Sequence, residues 1–274
     1  MTEKKLEIVK PVSVNKILQM KHDGQKISML TSYDYTMAKL VDEAGVDIIL
    51  IGDSASNVMA GNSSTLPITL DEMIYHARSV ARGAKHALVL CDMPFGSYQI
   101  SVEDALKNAI RIVKESGASA VKLEGGKRVC PQIKAIIGAG IPVCGHLGLT
   151  PQSVNEFGGY GLRAKTEEEA DRLLEDALAL EAAGCFAIVL EKIPATLAEK
   201  VTKELKTAAT IGIGAGMHTD GQVLVCQDML GMNNGFAPKF LRKYADLHSV
   251  ITTAVASYVS DVKEGKFPST EEQY

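Results

Sequence analysis

Ala120-Val121-Lys122-Leu123-Glu124-Gly125-Gly126 decides how this chain is read, because an apolar run carries a lysine and a carboxylate two residues apart. Positions two apart in a strand share a face, so Lys122 and Glu124 project together. The paired glycines stop the strand and let backbone or ligand come close. A local ion pair is one reading of these charges; one edge of an active site is another. The remaining strand ends separate the two.

Working outward, the same unit recurs in both directions. Apolar runs at 27–31, 47–52, 87–91, 120–124, 142–145, 187–190, 210–214 and 222–226 alternate, for the most part, with helical patterns. Ser13 caps a helix at 14–21, and 35–44 reads as a second helix stopped by Gly45. Thr69 with Glu72 and Thr166 with Glu169 have the capping-box spacing, opening helices to Arg82 and Ala183. Ser101 with Asp104 opens a helix to Ser116, and 131–137, 194–205 and 238–263 complete the helical stretches.

Eight such runs predict a closed parallel (β/α)8 TIM barrel, preceded by the extra N-terminal helix, with an open doubly wound sheet as the alternative. The barrel is favoured because polar residues follow several different strands, where barrel active sites are built. The expected organisation is an arm at 1–12, one barrel domain over 13–264 and a polar tail at 265–274.

A chain of 274 residues that is 46% hydrophobic can bury a full core. Its net charge of -4 and lack of a basic run interleaved with aromatics argue against nucleic acid as a partner. The N-terminus has no apolar signal core and the apolar runs are too short to span a bilayer, so the expectation is a cytoplasmic protein with no membrane partner. Cys91, Cys130, Cys144, Cys185 and Cys226 are odd in number and form no Cys-x-x-Cys pair, which speaks against a disulfide frame or structural zinc.

Asp53, Asp92 and Glu124 each stand at the end of an apolar run, and barrel closure would bring them to one mouth. Oxygen-only ligands suit a hard ion such as Mg²⁺; for any one carboxylate alone, a helix cap or a lysine pair is an equally good reading. Lys122 suits binding a substrate carboxylate, forming a Schiff base, or a plain salt bridge. A lone histidine such as His146 is more often a satisfied core residue than a catalyst. Glu191, ending the most apolar strand, suits a proton acceptor or a partner for Lys192 or Lys122. Gly212-Ile213-Gly214-Ala215-Gly216 lacks the spacing of a dinucleotide or P-loop fingerprint, so close packing or backbone contact with a ligand is the better reading. Composition and spacing thus reach a metal-assisted enzyme acting on a small anionic substrate.

Longer words are more specific. Thr31-Ser32-Tyr33-Asp34, Gly52-Asp53-Ser54, Thr65-Leu66-Pro67-Ile68-Thr69-Leu70-Asp71-Glu72-Met73, Asp92-Met93-Pro94-Phe95-Gly96-Ser97-Tyr98, Val121-Lys122-Leu123-Glu124-Gly125-Gly126, Gly145-His146-Leu147-Gly148-Leu149-Thr150-Pro151-Gln152 and Ile211-Gly212-Ile213-Gly214-Ala215-Gly216 occur in this order. Together they resemble the ketopantoate hydroxymethyltransferase family. The resemblance implies a barrel of the phosphoenolpyruvate/pyruvate type and hydroxymethyl transfer from methylenetetrahydrofolate to α-ketoisovalerate, through a Mg²⁺-stabilised enolate. It implies Asp53, Asp92 and Glu124 at the metal, Ser54 and Lys122 at the keto acid, and Glu191 as the base. It also implies His146 near the substrate, and a homo-oligomer of ten copies.

Three departures accompany the likeness. Ala55-Ser56-Asn57 replaces the usual Leu-Gly-Met, the segment Gly161-Leu162-Arg163-Ala164-Lys165 after Gly158-Gly159-Tyr160 is not the commonest form, and Lys192 replaces a small residue beside the base. Neighbours in a strand alternate faces, so Lys192 is expected to turn away from Glu191. A carbon–carbon lyase of the same barrel type, a Schiff-base aldolase using Lys122 and a binding barrel without turnover are the competing readings.

Overall fold

The computed structural model describes residues 11–235 and 237–274. They fall into two compact units, one ending at Leu224 and one spanning Val225–Tyr274. Most of the expected arm at 1–12 lies outside the described residues.

The first unit is a barrel of eight parallel strands: β1 Ile27–Thr31, β2 Ile48–Ile51, β3 Leu88–Asp92, β4 Ala120–Glu124, β5 Val143–Gly148, β6 Ala187–Glu191, β7 Ala209–Ile213 and β8 Gly221–Leu224. Each strand pairs with the next, and β8 pairs with β1 through Met29↔Val223 and its neighbours, which closes the sheet and rules out the open alternative. The strands are short and apolar because both faces are covered, inside by other strands and outside by helices.

Met29, Ile48, Leu50, Leu88, Leu90, Val189, Ile211 and Val223 fill the interior. Ile17 and Met20 of the helix Val14–His22 join the same cluster, so the extra helix packs against the barrel core. Ser13 caps that helix by accepting the Lys16 N–H, and Lys21 pairs with Asp220 at 2.8 Å just before β8. Both capping boxes form, at the start of Leu70–Gly83 and of Glu167–Ala183.

Two expectations need correction. The eighth strand ends at Leu224 rather than 226, and Cys226 opens the short helix Cys226–Met229. The long C-terminal helix is Leu247–Lys263, capped by Asp246, so residues 238–246 are not helical. All five cysteines are free, and four are buried. Among the described residues no helix is long and apolar enough to cross a membrane.

Candidate active site

Strand register assembles the mouth. Asp92 on β3 pairs with Lys122 on β4, Glu124 on β4 with His146 on β5, and Gly148 on β5 with Glu191 on β6. Residues in register on neighbouring parallel strands point the same way, so one face collects these side chains at the carboxyl ends. Asp53 follows β2, and its backbone N–H donates to Asp92 Oδ2 at 3.0 Å. The sequence-expected residues thus meet at one mouth.

Lys122 Nζ lies 3.1 Å from Asp92 Oδ1, 4.0 Å from Glu124 Oε1 and 3.2 Å from His146 Nδ1. His146 Nδ1 is also 3.2 Å from Glu124 Oε1, while its Nε2 lies 3.3 Å from Glu191 Oε2. The imidazole therefore stands between the charged cluster and Glu191. Asp53, Asp92, Lys122, Glu124 and His146 are buried, whereas the Glu191 side chain keeps 16% exposure at the edge.

Burial raises the Asp53 carboxyl well above its ordinary range, and the charges of Glu124 and Asp92 push it the same way. Burial likewise pushes Glu124 up to about 7 against the pull of Lys122. For Lys122, burial alone would favour the neutral amine, but Asp92, Glu124 and Asp53 outweigh it and hold an ammonium. An ammonium binds an anion and does not add to a carbonyl, which disfavours the Schiff-base reading. Burial and then Lys122 lower His146, so the ring is held neutral.

Three carboxyls crowd one ammonium in a buried mouth, and the upward push on Asp53 and Glu124 marks a place where added positive charge would favour their ionised forms. Asp92 Oδ1 and Glu124 Oε1 are buried and make no hydrogen bond, with only the ion-pair approach of Lys122 to the first and of the imidazole to the second. The three carboxylates offer only oxygens, which suits Mg²⁺. Among the described residues no group of three or more His, Cys, Asp or Glu side chains is placed so as to hold a metal ion. The fit to the ion lies in donor chemistry, two buried carboxylate oxygens that make no hydrogen bond, and not in a preformed set of ligands.

Ser54 sits at the N-cap of the short helix Ala55–Val58 without making a side-chain cap bond. Its Oγ instead meets the Tyr33 hydroxyl at 2.8 Å, and a Cβ on Gly52 would come within 2.6 Å of that oxygen. Tyr33 is held in turn by His76 Nδ1, 2.7 Å from its carbonyl oxygen. The departing Ala55-Ser56-Asn57 segment is helical and tied down by side chains: Ser56 Oγ donates to the Ser64 carbonyl at 2.7 Å and Asn57 Nδ2 to the Asn62 carbonyl at 2.9 Å. Hydrogen bonds hold the loop where the usual pattern has a glycine.

Lys192 makes no ion pair with Glu191; its ammonium donates to the Tyr160 carbonyl. The expected direction holds for a different reason, since β6 ends at Glu191 and Lys192 turns through a left-handed φ of 45°. That conformation favours glycine, in keeping with the small residue usual at this position. The Gly212–Gly216 segment is a packing device: a Cβ on Gly212 would meet Thr219 Oγ1 at 2.8 Å and one on Gly216 would meet Ala195 Cβ at 2.5 Å.

Sequence reasoning assigned nothing to Tyr33, Tyr98 or Gln152, although each lies inside a quoted word. Tyr98, 1% exposed, accepts the Glu124 backbone N–H at 3.2 Å and donates to Gln152 Oε1 at 2.7 Å. Nothing local in the sequence marks these contacts, which join strand ends far apart in the chain.

Residues 11–270 match the family model described as ketopantoate hydroxymethyltransferase. The chain is 65% identical over 263 residues to a 3-methyl-2-oxobutanoate hydroxymethyltransferase of Bacteroides thetaiotaomicron, covering 96% of each. It is 61% identical to the enzyme of that name from Flavobacterium johnsoniae, covering 97% of each, and 58% identical to that of Parabacteroides distasonis over the full length of both. Among solved structures, it superposes on a phosphonopyruvate hydrolase complexed with oxalate and Mg²⁺ with a TM-score of 0.61 at 11% identity, covering 95% of this chain and 93% of that one. A 2,3-dimethylmalate lyase of the phosphoenolpyruvate mutase/isocitrate lyase superfamily gives 0.58 at 14% identity, covering 95% and 91%. These two likenesses bear on the fold alone, and they agree with a barrel of the phosphoenolpyruvate/pyruvate type.

Proposed function

Because this chain belongs to the ketopantoate hydroxymethyltransferase family, we propose that the cluster at its barrel mouth carries out the family reaction. That reaction transfers a hydroxymethyl group from methylenetetrahydrofolate to 3-methyl-2-oxobutanoate, giving ketopantoate in pantothenate biosynthesis. In this reading Asp53, Asp92 and Glu124 hold Mg²⁺, while Lys122 and Ser54 bind the keto acid. Bound there, the ion supplies positive charge at the keto acid's carboxylate and carbonyl oxygens. The Lys122 ammonium adds a second fixed charge facing the substrate carboxylate.

Glu191 removes the proton from C3 of the keto acid and C3 bonds to the one-carbon unit of the folate; water supplies the hydroxyl oxygen, both carbon–nitrogen bonds of that unit break, and tetrahydrofolate leaves carrying the released protons. The observation that carries the reading is the line from Lys122 through His146 to Glu191, with steps of 3.2 and 3.3 Å. It sets an anion-binding group and a proton acceptor on either side of one imidazole. His146 stands between Glu191 and the ammonium.

The deciding experiment measures ketopantoate formation from the keto acid and the folate with Mg²⁺, and again after EDTA. Glu191→Gln should keep keto acid binding and slow exchange of the C3 proton with deuterium by about 10²–10⁴-fold. No one-carbon transfer in either direction would sink the reading, and unchanged exchange in the variant would remove Glu191 from the base role.

A cytoplasmic homo-oligomer completes the proposal. Supporting the oligomer, no residue of Leu247–Lys263 is buried, and Ile251, Val255, Tyr258 and Val262 form an exposed apolar stripe at helical spacing. Light scattering after size exclusion should give a mass of about ten chains, the size that the family likeness implies; a monomer at micromolar concentration would refute it.

A further inference from the structure

Gln152 lies 6% exposed in the 3-10 turn Pro151–Ser153 after β5, and its amide is fully engaged at the mouth. Nε2 donates to Asp53 Oδ2 at 3.0 Å and to the Met93 carbonyl at 3.0 Å. Oε1 accepts from the Tyr98 hydroxyl at 2.7 Å and from Gln99 Nε2 at 3.2 Å. Its backbone N–H donates to Glu124 Oε2 at 2.9 Å. A carboxamide has two N–H donors and two acceptor lone pairs, so the set is complete.

The orientation is fixed by chemistry. Turned over, the amide would set its oxygen against the Asp53 carboxylate and the Met93 carbonyl, acceptor against acceptor, in a buried place. One residue after β5 thus reaches the ends of β2, β3 and β4. It occupies one oxygen of Asp53 and one of Glu124. The oxygens left for the mouth are the second one of Asp53 and Glu124 Oε1, the latter buried without a hydrogen-bond partner, like Asp92 Oδ1.

We propose that Gln152 is the positioning residue of the divalent-cation site: its side chain and backbone decide which oxygens of Asp53 and Glu124 face the ion. The inference rests on the Mg²⁺ reading above. Gln152 acts through the carboxylates and touches neither substrate nor reacting atoms. Outer-shell partners of this kind orient the ligands that hold a metal.

Gln152→Met keeps the length and the backbone N–H but removes both side-chain donors. Calorimetric titration of Mg²⁺ into the full-length protein with saturating keto acid reads the effect directly. The Mg²⁺ Kd should rise about 10- to 100-fold, and kcat should recover toward the wild-type value as Mg²⁺ is raised in proportion. Recovery separates positioning from general damage to the fold, which added Mg²⁺ would not repair. Gln99→Met removes one donor to the amide oxygen and touches neither Asp53 nor Glu124, so its Kd should move the same way by less, and it decides the matter alone if Gln152→Met does not fold. A wild-type Kd in these variants overturns the inference and leaves the Mg²⁺ reading standing. A wild-type protein that binds no Mg²⁺ overturns both.

Discussion

Asp42→Asn tests how the helix Tyr35–Glu43 is tied to the strand that carries Asp92. Asp42 is 4% exposed and accepts three backbone N–H groups leading into β3: Lys85 at 2.8 Å, His86 at 3.0 and 3.2 Å, and Ala87 at 2.8 Å. Asparagine is nearly isosteric, yet it keeps one acceptor oxygen and aims an NH₂ at the remaining donor. One buried N–H left unsatisfied costs about 1–3 kcal/mol, and loss of charge assistance in the bonds that survive adds about 1 kcal/mol. At about 2–4 °C per kcal/mol for a chain of this size, Tm should fall by roughly 5–15 °C at neutral pH.

Burial by itself raises the Asp42 carboxyl, but the donors Ala87, Lys85 and His86 outweigh it and hold the pKa below its ordinary value. A depressed folded pKa means that the stabilisation is complete above the unfolded value, about 3.9, and is lost as pH falls through the folded one. The gap between wild type and variant should therefore be widest at neutral pH and narrow below about pH 4. Thermal unfolding followed by circular dichroism at several pH values reads both quantities. A variant that melts with the wild type at neutral pH, or a gap that does not change on acidification, would refute the reasoning.

Two further substitutions probe the mouth. Tyr33→Phe removes the hydroxyl beside Ser54 Oγ; it should cost about 1 kcal/mol of stability and raise the keto acid KM with little change in the Mg²⁺ requirement, so equal kinetics would deny Tyr33 a role in orienting Ser54. Gly148→Ala adds a Cβ 2.2 Å from the Glu191 carbonyl oxygen at a position with φ of 89°; strain and overpacking should cost about 2–5 kcal/mol and depress C3 exchange, and a variant that melts and exchanges like wild type would show that this approach is not tight.

Much of the fold is legible in the chain because its signals are local. The capping boxes at Thr69/Glu72 and Thr166/Glu169 are three-residue patterns, and both form as spaced. β1 and β4 have the expected bounds because apolar runs between turn residues mark strands buried on both faces. The apolar pattern misleads beyond Leu224, where Val225 and Cys226 continue the run but leave the strand, and over 238–246, where composition alone does not start a helix.

The sequence by itself determined that there are eight apolar runs, that several of them end on polar residues, and which residues those are: Asp53, Asp92, Glu124, His146 and Glu191, with Lys122 inside the fourth run. Strand period and strand ends are properties of neighbouring residues, readable without any partner. Only the tertiary structure decided how these residues are arranged, because closure of β8 onto β1 and the strand register set every distance between them. Gln152 and Asp53 are 99 residues apart in the chain and 3.0 Å apart in the fold. A hydrogen bond of that kind leaves no local pattern, since either side chain alone is an ordinary polar residue, and only their meeting in a buried mouth gives each one its role.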